Sequence, residues 1–275
     1  MSFNFNDLIE PDENKTLVVD ALNLAFRWKH QGRTDFRHEY VATVQSLARS
    51  YKCDRIIITA DKGSSEYRKQ ILPSYKQNRK DKFAQQSEAE EEAFKMFIQE
   101  YENTLELLEK QYPLLRVKGV EADDIAAYVV KHREKFDIGD IVLVSSDKDW
   151  DLLIQEGVMR FSYVTRKEVT IDNWSDHYNI PQEKYACYKC LIGDKGDNIP
   201  GISGIGPKRA EGLLEQYGSA YDIYDSLPID SKYKHIQELN SNPEVILKNY
   251  ELMDLLTYCE EAIGNGIPEI ERRLQ

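Results

Sequence analysis

Four short apolar runs, at residues 16–20, 55–61, 114–118 and 141–145, each meet an acidic residue at or just past their downstream end, and this repeat constrains the chain more than any other feature. Runs of this length, rich in β-branched residues, read as strands, and their unbroken apolar character implies burial on both faces. Helical periodicity fills 39–51 and 122–135. The expected fold is therefore α/β, with a central, mostly parallel sheet flanked by helices. In such a sheet ligands bind beyond the carboxyl ends of the strands. Asp20, Asp61, Glu121 with Asp123 and Asp124, and Asp147 with Asp149 are expected to converge there.

Two stretches fall outside the strand–helix alternation. Residues 73–112 are too long for a plain connection. They open with a basic segment, YKQNRKDK, and continue into an acid-rich helical pattern with an apolar stripe at Phe94, Phe97, Tyr101, Leu105 and Leu108. An excursion rising above the sheet is expected. From residue 172 the chain turns helical, punctuated by Gly, Pro and Asn. The expected layout is an α/β core over 1–171 and a helical portion over 172–275, packed as one compact body.

A formal net charge of −12 argues against a nucleic-acid partner, because phosphate affinity comes from excess Lys and Arg. Nine of the 48 acids lie in the strand-end motifs and in the Asp194–Asp197 pair, however, and without them the chain is near neutral. Local patches must decide. Four scattered cysteines suit a reducing compartment, and the single C-x-x-C at Cys187 and Cys190 reads as ordinary helix thiols. No apolar run is long enough for a membrane span, and the first fifteen residues lack the order of a secretion signal. A cytoplasmic monomer is expected.

Separate acid groups gathered at one sheet edge would repel one another without compensation. Hard oxygen donors with no nearby His or Cys favour magnesium, with manganese as a substitute, over zinc. Such a site suits phosphodiester hydrolysis; glycoside hydrolysis needs one defined pair of acids, and none stands out. The loop GDKGDNIPGISGIGPKRA (193–210) spaces Gly201 and Gly206 like a nucleotide-hydrolase phosphate loop, but Pro207 takes its Lys position, the Lys comes one position late, and Arg209 rather than Ser or Thr follows it, which excludes that reading. Its glycines, Gly204 and Gly206 among them, suit a turn between helices whose backbone, with Lys208 and Arg209, grips phosphates. Tyr75, Lys76, Arg79, Lys80 and Lys82 combine cations with an aromatic ring, as single-stranded nucleic-acid sites do. The five histidines show no catalytic spacing.

Taken together, VVDALNLAFR, TADKG, YKQNR, GVEADD, SSDKDWD and the 193–210 loop closely resemble the 5′-nuclease or flap endonuclease family, above all its free-standing bacteriophage type, and less closely the 5′-nuclease domain of bacterial DNA polymerase I. The resemblance runs nearly end to end. It implies a helical arch over the active site, formed by about 73–112, and a helix-turn-helix-like duplex-binding module around the Gly-rich loop. It also implies two metal groups: Asp20, Asp61, Glu121, Asp123 and Asp124 for the first, and Asp147, Asp149, Asp194 and Asp197 for the second. By the same resemblance Lys76 and Arg79 contact the scissile phosphate, Tyr75 stacks on a nearby base, and Arg27, Lys80, Lys82 and Lys189 are further DNA contacts. Lys208 and Arg209 grip the duplex backbone, with a potassium ion at the loop carbonyls. The implied activity is 5′ to 3′ exonuclease and 5′-flap endonuclease cleavage of DNA at a single-strand/duplex junction, in replication or repair, in a host cytoplasm if phage-encoded. The alternatives are a non-catalytic DNA-junction binder and a single-strand ribonuclease or phosphatase.

Overall fold

The computed structural model describes residues 14–275; the reading of the N-terminus as free of a secretion signal falls largely outside them. Strand β1 (Lys15–Asp20) leads into helix α1 (Ala21–Lys29), and α2 (Arg37–Ser50) returns the chain to β2 (Arg55–Thr59). Helices α3 (Glu66–Ile71), α4 (Gln77–Phe83) and α5 (Glu88–Glu109) precede β3 (Leu114–Leu115). Then come α6 (Ala122–Lys131), β4 (Asp140–Val144), β5 (Val158–Ser162) and β6 (Lys167–Val169). The sheet order is β3-β2-β1-β4-β5-β6, parallel except for β6, which runs against β5.

Side-chain alternation divides the core into two layers, as period-2 strands require. Leu17, Val19, Val142 and Val144 face α1, α2 and α5, whereas Val18, Ile141 and Leu143 face α6 and the C-terminal helices. The central strands are buried on both sides, which is why they read as continuous apolar runs.

Several boundaries differ from the sequence expectation. The run at 114–118 pairs over only two residues, because Arg116 turns its guanidinium to Glu102 at 2.7 Å and to the Asp61 carbonyl at 3.0 Å. The helix expected over 122–135 ends at Lys131 and passes into a 3₁₀ turn, Arg133–Phe136. The edge pair β5–β6 had no clear apolar signal. The excursion after residue 73 is only partly raised: Phe97, Tyr101, Leu105 and Leu108 of α5 are buried in the sheet-facing core beside α1 and α2.

The C-terminal part is helical as expected: α7 (Tyr185–Ile192), α8 (Pro207–Tyr217), α9 (Ala220–Asp225), α10 (Lys234–Ser241), α11 (Glu244–Met253), α12 (Leu255–Ile263) and α13 (Ile267–Leu274). A two-stranded hairpin, β7 (Gly193–Asp194) and β8 (Ile199–Pro200), interrupts it. Ile125 and Val129 of α6 share one apolar cluster with Leu255 and Cys259 of α12. All four cysteines are buried, and no disulfide joins them. Among the described residues no helix is long and apolar enough to cross a membrane.

Candidate active site

The acids reach the carboxyl edge of the sheet from separate elements, and several are fixed there by backbone hydrogen bonds. Asp20 ends β1 and caps α1, its Oδ1 accepting from the Asn23 N–H at 3.2 Å while Oδ2 accepts from the Ser145 hydroxyl at 2.8 Å. Since β1 and β4 flank the point where strand order reverses, this bond spans the topological switch of the sheet. Asp61, just past β2, accepts from the Ala122 N–H at 2.6 Å and so caps α6 from another strand. Glu121, Asp123 and Asp124, at the start of α6, each bring one oxygen within 4.8 Å of the others. Asp147 accepts from the Asp149 N–H at 3.0 Å at the head of a 3₁₀ turn, Lys148–Leu153. Asp194 accepts from the N–H groups of Gly196 and Asp197 at 2.7 and 3.2 Å.

Cations lie inside this cluster. Lys76 starts α4 in the left-handed region (φ 55°) and places Nζ 2.8 Å from Glu121 and 3.6 Å from Asp197. Arg79 pairs with the Asp197 carboxylate and donates to the Gly196 carbonyl at 3.2 Å. The base of the arch is also clasped to the 194–198 loop: the Lys76 N–H donates to the Asp197 carbonyl, Asn78 to the Lys195 carbonyl and Asn198 to the Ser74 carbonyl.

Three of the expected site residues are held by partners inside the protein. Tyr75 is only 3% exposed, and its single hydroxyl proton is shared between Glu121 at 2.8 Å and Asp197 at 3.0 Å. Lys189, 8% exposed, pairs with Asp149 and lies 3.3 Å from Asp194, so it bridges the second acid group. Asp124 is fully buried, with both oxygens bonded to Arg68 at 2.7 Å, and it still brings an oxygen within 4.8 Å of those of Glu121 and Asp123. Arg68 itself, whose Nε reaches the Leu252 carbonyl at 2.9 Å, was missed. Nothing local in EYRKQI marks it, because its partners are 56 and 184 residues away. Ser145 was missed for the same reason.

Burial pushes the Asp20 carboxyl up to about 8, with Asp61 adding to the shift. Burial likewise raises Asp61 and, most strongly, Asp123, where Asp124 and Glu121 add repulsion. Asp197 is raised by burial against the pull of Lys76 and Arg79. Glu121 goes the other way: burial opposes its ionisation, but Lys76 and Arg68 outweigh that and hold it below the usual carboxylate range. Asp20, Asp61, Asp123 and Asp197 stay raised although Lys and Arg side chains lie among the acids, and a hard divalent cation would offset the remaining repulsion. The donors fit such an ion, being carboxylate oxygens around a small cavity of about 20 Å³ lined by Asp123, Asp149, Asp194 and Asp197.

The other expected DNA contacts lie away from the acids. Arg27, on α1, sits over the Trp28 and Tyr163 rings, each at 5.5 Å. Lys80 and Lys82 are exposed on α4. Gly204, Gly206, Lys208 and Arg209 line an open groove at the start of α8, where Gly204 (φ 76°) lets the chain turn beside His235 and accepts from Arg209 at 2.5 Å.

Comparison with known proteins matches this architecture. Residues 15–179 fit the family model of the 5′-3′ exonuclease N-terminal resolvase-like domain, and residues 180–265 fit that of the 5′-3′ exonuclease C-terminal SAM fold. The flap endonuclease of Escherichia phage T5 is 40% identical over 96% of this chain and 93% of its own length. A crystal structure of the T5 flap endonuclease in a complex with DNA and metal ions superposes with a TM-score of 0.89 at 38% identity, over 94% of this chain and 99% of that one. DNA polymerase I of Borreliella burgdorferi is 30% identical over 92% of this chain, which spans 27% of that longer protein. With both family models matched in order across nearly all of its described length, the chain belongs to the 5′-3′ exonuclease family.

Proposed function

We propose that this protein is a magnesium-dependent, structure-specific 5′ nuclease, which binds DNA at a 5′ flap or single-strand/duplex junction and hydrolyses a phosphodiester to leave a 5′-phosphate. One observation carries the reading: acids from the ends of β1, β2 and β4, the head of α6 and the 194–197 loop meet at one sheet edge with Lys76 and Arg79 among them. In this reading Asp20, Asp61, Glu121 and Asp123 hold the first cation, with Asp124 supporting them through Arg68. Asp147, Asp149, Asp194 and Asp197 hold the second. Bound divalent cations supply Lewis-acid charge that acidifies water and steadies a leaving oxyanion. Manganese substitutes by the same hard-oxygen chemistry.

The chain's own groups do the rest. Lys76 and Arg79, now paired with Glu121 and Asp197, are placed to turn to the non-bridging oxygens of a phosphate, orienting it and offsetting its charge. Ser145 fixes the carboxylate plane of Asp20. The exposed groove at Gly204–Arg209 offers backbone and cationic contacts to a duplex, with loop carbonyls suited to a potassium ion. We place the protein in DNA replication or repair, in the host-cell cytoplasm, acting as a monomer. The α/β part to 171 and the helical part from 172 act as one body, supported by the apolar cluster they share.

The test is Asp147→Asn with Asp149→Asn. Cleavage of a 5′-flap substrate should be abolished while flap binding persists; full cleavage by the double variant overturns the assignment. Cleavage that continues in chelator would overturn the requirement for a cation.

A further inference from the structure

Helices α1 and α4 both start at the acid cluster, at Asp20 and Lys76; α1 ends at Lys29 in the lining of a second groove, and α4 ends at Phe83, which packs on that groove's Phe94. The groove has a volume of about 280 Å³ and lies between the α1–α2 turn and the arch face of α5. Its floor is aromatic. Lys29 Nζ lies 4.6 Å from the Phe94 ring centroid, 4.9 Å from Phe26 and 5.8 Å from Phe97. Phe83 meets Phe94 edge-on at 5.3 Å and is 40% exposed, so its ring is open to a planar partner. Among the described residues no carboxylate forms an ion pair with Lys29, and desolvation over the rings lowers its pKa, a penalty that an anion in the groove would offset. The one acid in the lining, Glu90, is turned back onto the Ser87 N–H and hydroxyl at 2.9 and 2.8 Å.

We propose that this groove receives a nucleotide of the unpaired 5′ strand, its base against Phe94 and Phe83 and its phosphate on Lys29. An aromatic face beside a cation with no carboxylate ion pair among the described residues, at the far end of elements that begin at the active site, matches single-stranded nucleic acid better than an apolar peptide or a duplex. The assignment rests on the nuclease reading above and adds a subsite to it. Nine helical residues of α1 span about 13 Å. At about 3.4 Å per phosphate, roughly four stacked nucleotides bridge that distance. A strand of one unpaired nucleotide therefore cannot reach the groove.

This length dependence makes the test. Lys29→Glu and Phe83→Ala change half-buried or exposed side chains, and urea unfolding checks that both keep the fold. Affinity is measured on 5′-flap substrates with one unpaired nucleotide and with about ten, well beyond the roughly four needed. Both variants should weaken long-flap binding by about fivefold or more, the effect of losing one stacked base or its phosphate contact, and should leave one-nucleotide-flap binding and cleavage unchanged. A 2-aminopurine placed near the fourth flap position, read in chelator, should lose its stacking quench in Phe83→Ala. Equal losses on both flap lengths, or no loss on the long flap, overturn the subsite. If the parent protein cuts neither substrate, the nuclease reading fails instead.

Discussion

Replacing Asp20 by Asn should stabilise the cation-free protein while destroying its activity. In that state burial, with Asp61 adding, moves the Asp20 carboxyl from the ordinary 3.8 up to about 8, so folding at neutral pH forces this group to take up a proton. At about 1.4 kcal/mol per pKa unit, the penalty at pH 7 is about 4 kcal/mol. The sign is fixed by linkage. An acid raised in the folded state costs nothing below its unfolded pKa and erodes stability as pH climbs from about 4 to about 8. Asn preserves the size of the side chain and an oxygen for the Asn23 N–H, and its amide can donate to the Ser145 hydroxyl. Urea unfolding in chelator at pH 7 should give Asp20→Asn an advantage of about 2–4 kcal/mol that shrinks to nothing near pH 4. Divalent cation should then reverse the order, since an ion bound only by the folded parent adds stability that the variant cannot collect. A variant less stable than the parent in chelator at pH 7, or an advantage unchanged at pH 4, refutes the argument.

Other changes separate structural from chemical roles. Arg68→Met strands the buried Asp124 and should cost about 3–5 kcal/mol in urea unfolding, whereas Arg68→Met combined with Asp124→Leu should recover most of that loss. Tyr75→Phe keeps the ring and removes the one hydroxyl proton shared between two carboxylates, so unfolding in chelator should fall by about 1.5–3 kcal/mol; an unchanged value would put the ring, not the hydroxyl, in charge. Lys208→Ala and Arg209→Ala should each weaken duplex binding and lower the slope of log affinity against log salt by about 0.9, read by fluorescence anisotropy at several salt concentrations.

The sheet and the acids were legible because their signals are local. Unbroken apolar runs such as TLVVD and IVLVS can lie only in a strand buried on both faces, and the acid at the end of each is then at the sheet's carboxyl edge by construction. The partners of those acids were not legible. Arg68 and Lys189 are ordinary cations in sequence and become buried bridges only when α3, α6 and α7 converge. Tyr75 sits in a basic segment that invites a nucleic-acid reading, yet the left-handed turn at Lys76 aims its hydroxyl inward at Glu121. The helix of the arch was legible too, but its apolar stripe predicts a helix face and cannot say that the face closes onto α1 and α2.

The caps at the strand ends have one more consequence. Asp20, Asp61, Asp147 and Asp194 each commit one oxygen to a backbone N–H, so their χ angles are already set when an ion arrives. Loading such a nest requires little rotamer freezing, because the chain gave up that freedom when it folded. The same anchoring limits how far the ligands can follow an ion of different radius, so tolerance for a larger metal such as calcium should be set by backbone stiffness more than by charge.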